Sequence, residues 1–264
     1  MRAPLVLALA VLGLTHAMDV LPQWSQTVLV EELSTWTGRA LIFDPSRKRA
    51  YAQTVDAGAN GYLTAIDQTG VLWNVTDGTN DAGDFDRSEL GYDELTGVVC
   101  YVITPSSGPG QVRGVDGATG LVLWQWSNWT NFWNSETDIP RPLSTTTPSG
   151  QRVFVVGQNA VHLLDAMTGL EVSSRVPLQI EYGYVRVPDS PLLIVGSWPL
   201  AAVNLSDMSV AWTSRVNTSS GAPFYAYLQL TPDSKTFFAL TQQAQSSNLH
   251  FRIAAVDVQT PMAR

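Results

Sequence analysis

Five times along this chain a short apolar run ends in an acidic or amide residue, and in the better copies a Thr-Gly turn and a second run closing on Trp follow. The copies are Thr64 to Trp73, Arg113 to Trp124, His162 to Ser173, Ala201 to Trp212 and Ala254 to Thr260. Their anchors, Asp67, Asp116, Asp165, Asn204 and Asp257, are spaced 49, 49, 39 and 53 residues apart. Self-similarity at about 40–50 residues, with several strands in each unit, is the pattern of propeller blades.

The stretch before each anchor agrees with that reading. Leu41-Ile42-Phe43 meets a turn at Asp44-Pro45-Ser46 and continues as Ala50-Tyr51-Ala52. Leu90-Gly91-Tyr92 passes through Asp93 to Gly97 into Val98 to Ile103, and a turn at Thr147 to Gly150 precedes Val153 to Val156. Tyr184 to Val187 and Leu192 to Val195 flank Pro188-Asp189-Ser190-Pro191, and Tyr227 to Leu230 and Thr236 to Leu240 flank Thr231-Pro232-Asp233-Ser234. β-Branched and aromatic runs bounded by Pro, Gly, Asp and Ser read as strands joined by turns. The expected fold is therefore all-β, a β-propeller of about five four-stranded blades.

The segment after each anchor has a direct physical reading. An Asp side chain caps a tight turn, Thr can add to the cap, and Gly supplies the positive φ that the turn demands. The Trp eight residues after Asp116 can then dock on the neighbouring blade, burying a large ring with a single N–H to satisfy.

These residues resemble the pyrroloquinoline-quinone-like (PQQ-like) propeller repeat, whose blade motif is Ala-x-Asp-x-x-Thr-Gly-x-x-x-Trp. Gly114 to Trp124 departs from it only at the Ala. The first copy keeps Ala65, Asp67, Thr69, Gly70 and Trp73 but is two residues shorter. The third keeps Asp165, Thr168 and Gly169 and carries Ser173 in place of Trp. The fourth keeps Ala202 and Trp212 with Asn204 and Asp207-Met208 at the turn, and the fifth keeps Ala255, Asp257 and Thr260. The resemblance implies a degenerate, short quinoprotein-alcohol-dehydrogenase-like propeller. It raises the option of a quinoprotein oxidoreductase, which would hold PQQ with calcium and a vicinal disulfide. Cys100 is the only cysteine, so that disulfide cannot form, and neither PQQ nor calcium is expected here.

The fifth copy stops before its Trp. Leu21 to Val28, with Trp24, looks like the strand tails that follow Trp73 and Trp212, and is expected to close the last blade, because an open sheet edge invites pairing with other chains. Residues 1–17 read as a signal peptide: Arg2 is the positive start, Leu5 to Leu14 the apolar core, and Thr15-His16-Ala17 the small-residue cleavage site. The apolar run is too short to span a bilayer, and no second such run follows. Residues 18–264 are expected to form one propeller domain, or alternatively an incomplete propeller relative to longer relatives, without a membrane span, secreted or in the lumen of the endoplasmic reticulum.

Four glycosylation sequons suit that compartment: Asn74-Val75-Thr76, Asn128-Trp129-Thr130, Asn204-Leu205-Ser206 and Asn217-Thr218-Ser219. Asn204 sits at a repeat turn, whereas Asn74, Asn128 and Asn217 are expected on the surface after tail strands. The net charge is −8. The one basic run, Arg47-Lys48-Arg49, lies beside a turn, so nucleic acid is not an expected partner. Cys100 reads as a buried small hydrophobe, and His162 and His250 as structural histidines in strands.

Asp77 to Glu89 is dense in oxygen donors, and Asp81, Asp84 and Asp86 are the candidate ligands for a hard cation such as calcium. The loop departs from the EF-hand pattern, with Ala82 where Gly is required and Ser88 where Glu is required, and a solvated loop is the simpler reading. Trp124 and Trp126 read as core, while Trp129, Phe132 and Trp133 form a candidate binding surface for protein or sugar. No nucleophile elbow, metalloprotease helix, P-loop or dinucleotide fingerprint is present in the sequence. The chain therefore reads as a non-enzymatic binding or scaffold propeller whose partner is a protein. The alternatives are a degenerate quinoprotein-type oxidoreductase and a lectin-like carbohydrate binder.

Overall fold

The computed structural model describes residues 7–9, 26–28, 41–55, 61–76, 90–103, 111–127, 142–157, 160–173, 176–178, 180–197, 200–214, 224–245 and 248–259. Every regular element among them is a β-strand, and every strand pair is antiparallel. Contacts group the chain into two units, Met1–Phe132 and Trp133–Arg264.

In the first unit β1 (Leu7–Leu9) pairs with β2 (Gln26–Val28). The first sheet follows in the order β3 (Leu41–Asp44), β4 (Arg49–Val55), β5 (Gly61–Asp67), β6 (Gly70–Thr76). The second sheet has the order β7 (Gly91–Asp93), β8 (Val98–Ile103), β9 (Gln111–Asp116), β10 (Val122–Trp126). Both are meanders of the kind expected for propeller blades, each strand pairing with its sequence neighbour. Tyr51, Leu63 and Ala65 of the first sheet and Leu90, Tyr92, Val99, Tyr101, Ile103 and Val115 of the second bury one common core, with Trp73 and Val75 packed against it.

The second unit holds three further meanders. The third sheet is β11 (Leu143–Thr146), β12 (Arg152–Gly157), β13 (Val161–Asp165). The fourth is β14 (Ile180–Arg186), β15 (Leu192–Ser197), β16 (Leu200–Asn204), β17 (Ser209–Ser214). The fifth is β18 (Phe224–Leu230), β19 (Thr236–Gln245), β20 (Asn248–Asp257). One core joins the third and fourth sheets through Val153, Val155, Leu163, Leu193, Val203 and Met208. Another joins the fourth and fifth through Ile194, Ala202, Phe237 and Val256.

One expectation changes. Four strands per sheet holds for the first, second and fourth, but the third and fifth have three among the described residues. The third sheet's tail makes only the isolated bridges Leu164↔Glu171 and Val161↔Val176; it carries Ser173 where the other tails have a Trp to hold them down. The strand expected to close the fifth sheet is represented by Gln26–Val28, which pairs with Leu7–Leu9; Trp24 lies outside the described residues.

Candidate functional site

The repeat acts first through its anchors. Oδ1 of each anchor accepts a backbone N–H two residues on: from Thr69 to Asp67 at 2.7 Å, from Ala118 to Asp116 at 2.7 Å and from Met167 to Asp165 at 3.0 Å. The fourth and fifth copies repeat the bond from Ser206 to Asn204 at 2.9 Å and from Gln259 to Asp257 at 2.8 Å. This is the side-chain-capped turn that the sequence predicts. A second bond repeats that no local motif reveals. The residue after the anchor donates its N–H across to the preceding hairpin: Gly117 to Gly97 O at 2.9 Å, Ala166 to Arg152 O at 3.0 Å, Leu205 to Pro191 O at 2.9 Å and Val258 to Lys235 O at 2.9 Å.

The tail Trp then joins one sheet to the next. Trp73 of the first sheet donates its indole N–H to the carbonyl of Gly117, the residue after anchor Asp116, at 3.3 Å. Trp212 of the fourth makes the same bond to Val258, the residue after anchor Asp257, at 3.1 Å. Gly120 lies directly under the Trp73 ring: it has φ 78°, and a Cβ there would stand 2.8 Å from the indole. Only glycine satisfies both demands. Within the first, second and fourth sheets the Trp faces a small residue across the ladder, Ala65↔Trp73, Gly114↔Trp124 and Ala202↔Trp212, each beside a β-bulge. A Cβ on Gly114 would come within 2.1 Å of the Trp124 ring. The Ala of the repeat motif is therefore the floor on which the indole rests, and Gly114 serves that role.

Polar groups secure the seam between the first and second sheets. The buried Asp44 carboxylate accepts from the hydroxyl of Tyr92 at 2.5 Å, from Arg47 Nη1 at 3.2 Å, and from the N–H and hydroxyl of Ser46 at 3.0 and 2.6 Å. Burial pushes this carboxyl up, but the bonds from Ser46, Tyr92 and Arg47 outweigh it and hold it below the usual carboxylate range. Burial, with the Asp44 hydrogen bond, pushes the Tyr92 hydroxyl well above its ordinary range. Arg49 donates to the Gly117 carbonyl, which also receives the Tyr51 hydroxyl at 3.1 Å. The basic run is thus largely a pair of staples, with Lys48 alone at its turn in a left-handed conformation, φ 51°. Between the third and fourth sheets Arg186 does comparable work. It donates to Thr145 Oγ1 at 3.1 Å and to the carbonyls of Val187, Ser190 and Leu192, and burial pulls its pKa down.

His162 is buried, with Nδ1 2.8 Å from Glu171 Oε1, a structural placement. Cys100 is fully buried, and burial pushes its thiol far above the ordinary range, where the nucleophilic thiolate is suppressed. Trp124 is buried and Trp126 only half-buried, so the second ring of the expected core pair is partly open. Asn74 lies inside β6, exposed, rather than after it. Asn204 is half-buried at its turn. Asp81, Asp84, Asp86, Asn128, Asn217, Trp129, Phe132 and Trp133 lie outside the described residues. Among the described residues no three His, Cys, Asp or Glu side chains gather as a metal site, and no helix is long and apolar enough to cross a membrane.

The surface that could receive a partner is one the sequence reading passed over. Leu121 (65% exposed), Val122 and Leu123 form an exposed apolar run at the start of β10, the edge strand of the second sheet. On the edge of the first sheet Val71 and Leu72 are exposed as well. Edge strands offer unpaired backbone groups, and an apolar edge is a docking surface for another chain. The signal was three consecutive apolar residues where a half-buried strand should alternate.

The architecture has wide company: 560 chains of solved structure match it. One is the crystal structure of BamB from Moraxella catarrhalis, with a TM-score of 0.53 and 13% identity over 86% of this chain. The fold is a β-propeller. The chain spans 62% of the length of that BamB chain. No protein-family model and no curated protein matches the sequence.

Proposed function

We propose that this chain is a non-enzymatic interaction propeller of the secretory pathway, a degenerate and short relative of PQQ-like repeats, and that its partner is a protein docking on β10. The observation that carries this reading is the exposed run Leu121-Val122-Leu123 on a sheet edge. Support also comes from the polar seam between the first and second sheets: the buried Asp44 carboxylate accepts from Tyr92 and Arg47, holding the sheet that carries this edge on a rigid frame.

The test is site-specific photo-cross-linking in secretory cells, with the reactive residue at position 123 or at exposed Gln68. A discrete protein adduct from 123 and none from 68, abolished by Leu121→Asp, is the expected result. Adducts from both positions alike, or none from 123, would refute the docking surface. The rival oxidoreductase reading requires a quinone absorption band in the purified protein, and the lectin-like reading requires glycan-array binding lost on changing Trp129 and Trp133; neither is expected.

A further inference from the structure

The exposed edge of the first sheet carries a hazard that β6 itself answers. β6 stands at the end of its sheet order with Val71 and Leu72 exposed; β2 approaches it without joining its sheet, and an apolar edge strand is a template for pairing with a second copy. In the same strand Asn74 and Thr76 are both exposed, on one face with Leu72, while Trp73 and Val75 turn to the other and pack on the core of the first and second sheets. The sequon Asn74-Val75-Thr76 is thus clamped by its middle residue with its amide outward. Asn74 pairs in register with Thr64, mid-ladder and two residues from Leu72.

We propose that Asn74 is an N-glycosylation site and that its glycan shields the β6 edge against self-association. The inference rests on the secretory-pathway reading. The co-reactant is a lipid-pyrophosphate-linked oligosaccharide. A bond forms from Asn74 Nδ2 to the anomeric carbon, the bond from that carbon to phosphate oxygen breaks, the lipid pyrophosphate leaves, and Nδ2 gives up one proton. Each attached glycan adds bulk and hydration to a surface, and mid-edge is where bulk blocks a second strand. Asn204 is the contrasting sequon. It is half-buried, its Oδ1 caps the turn through Ser206, its carbonyl accepts the Met208 N–H at 2.8 Å, and Leu205 and Met208 beside it are buried. A branch at that turn has the neighbouring core against it, so Asn204 stays bare.

The experiment uses the full chain expressed in a eukaryotic secretory line. Protease protection in sealed membranes reports the compartment, and glycosidase release followed by peptide mass spectrometry reports Asn-to-Asp conversion at each sequon. Sedimentation velocity follows self-association of the native protein before and after glycosidase. The expected result is a lumenal chain with Asn74 converted and Asn204 unchanged, the same loss of one glycan in Asn74→Gln and in Thr76→Ala, and a several-fold rise in oligomer after deglycosylation that Leu72→Lys suppresses. A lumenal chain with Asn74 bare overturns this inference alone. Occupied Asn74 with no change in association overturns the shielding role. A chain left outside the membranes overturns both this inference and the compartment reading beneath it.

Discussion

The seam between the first and second sheets and the seam between the third and fourth solve one packing problem with opposite choices. In the first, the large residue comes from the tail: Trp73 reaches over to the next turn, and glycine at 120 leaves it room. In the second, the tail residue is Ser173, and the residue in the glycine position of the next turn is Met208, buried within the joint core. Met208 has φ 55°, a left-handed conformation that costs a non-glycine residue about 1 kcal/mol or more. The floor residue changes in step. Where Trp is present it is Ala65, Gly114 or Ala202; where Trp is absent it is fully packed Leu163. The comparison teaches that volume at the seam is held while the residue supplying it moves between sheets, as close packing requires.

The strongest way to break this comparison is at the floor. Gly114→Val places side-chain atoms inside the Trp124 ring and is expected to cost more than about 4 kcal/mol, leaving the chain unfolded by circular dichroism. Leu163→Val, at the matching place in the third sheet, is expected to cost less than about 1.5 kcal/mol in urea unfolding. The tails come next. Trp73→Ala removes a large ring and its hydrogen bond, at about 3–5 kcal/mol. Ser173→Ala is expected within about 0.5 kcal/mol of wild type or slightly above it, since the Ser173 hydroxyl is buried with no hydrogen-bond partner among the described residues.

A smaller effect sharpens the turn comparison. Met208→Gly relieves the left-handed strain but gives up a buried side chain, so a net loss of about 1–3 kcal/mol is expected. A further test concerns acid. The folded Asp44 carboxyl titrates below its unfolded value, so its contribution is present above the unfolded pKa and lost as pH falls through the lower folded one. Tyr92→Phe removes the 2.5 Å donor to that carboxylate. It is expected to cost about 1–3 kcal/mol at neutral pH and to shrink the loss of stability on acidification below about pH 4. An unchanged acid limb would show that Tyr92 does not hold the carboxylate down.

Much of this was legible in the sequence because the turns are local. Asp67, Asp116, Asp165, Asn204 and Asp257 cap turns with their own side chains, and docking of a tail Trp on a neighbouring blade follows from ring size and one N–H. The reason for Ala in the motif was not legible, because Ala65 and Trp73 lie eight residues apart and meet only across a bulged ladder. The link between Ser173 and Met208 was hidden for the same reason: it joins two sheets and emerges only when each tail is set against the following turn. The β10 surface was also missed: three consecutive apolar residues at Leu121 to Leu123 break the alternation of a half-buried strand but equally fit a buried one, and only the place at the sheet edge decides between them. That the third sheet has three strands among the described residues was foreshadowed by Ser173, which stands where the first, second and fourth tails carry Trp.

One set of measurements tests the exchange of volume most directly. Leu163→Ala, Ser173→Trp and Met208→Gly are made singly and together, and unfolding free energies are read by urea denaturation. Each alone disturbs the seam by removing or adding bulk, at about 1–5 kcal/mol; together they install the arrangement of the first and second sheets. The account predicts that the triple variant unfolds within about 1 kcal/mol of wild type, a strongly non-additive result. Losses that add to within about 0.5 kcal/mol would contradict it.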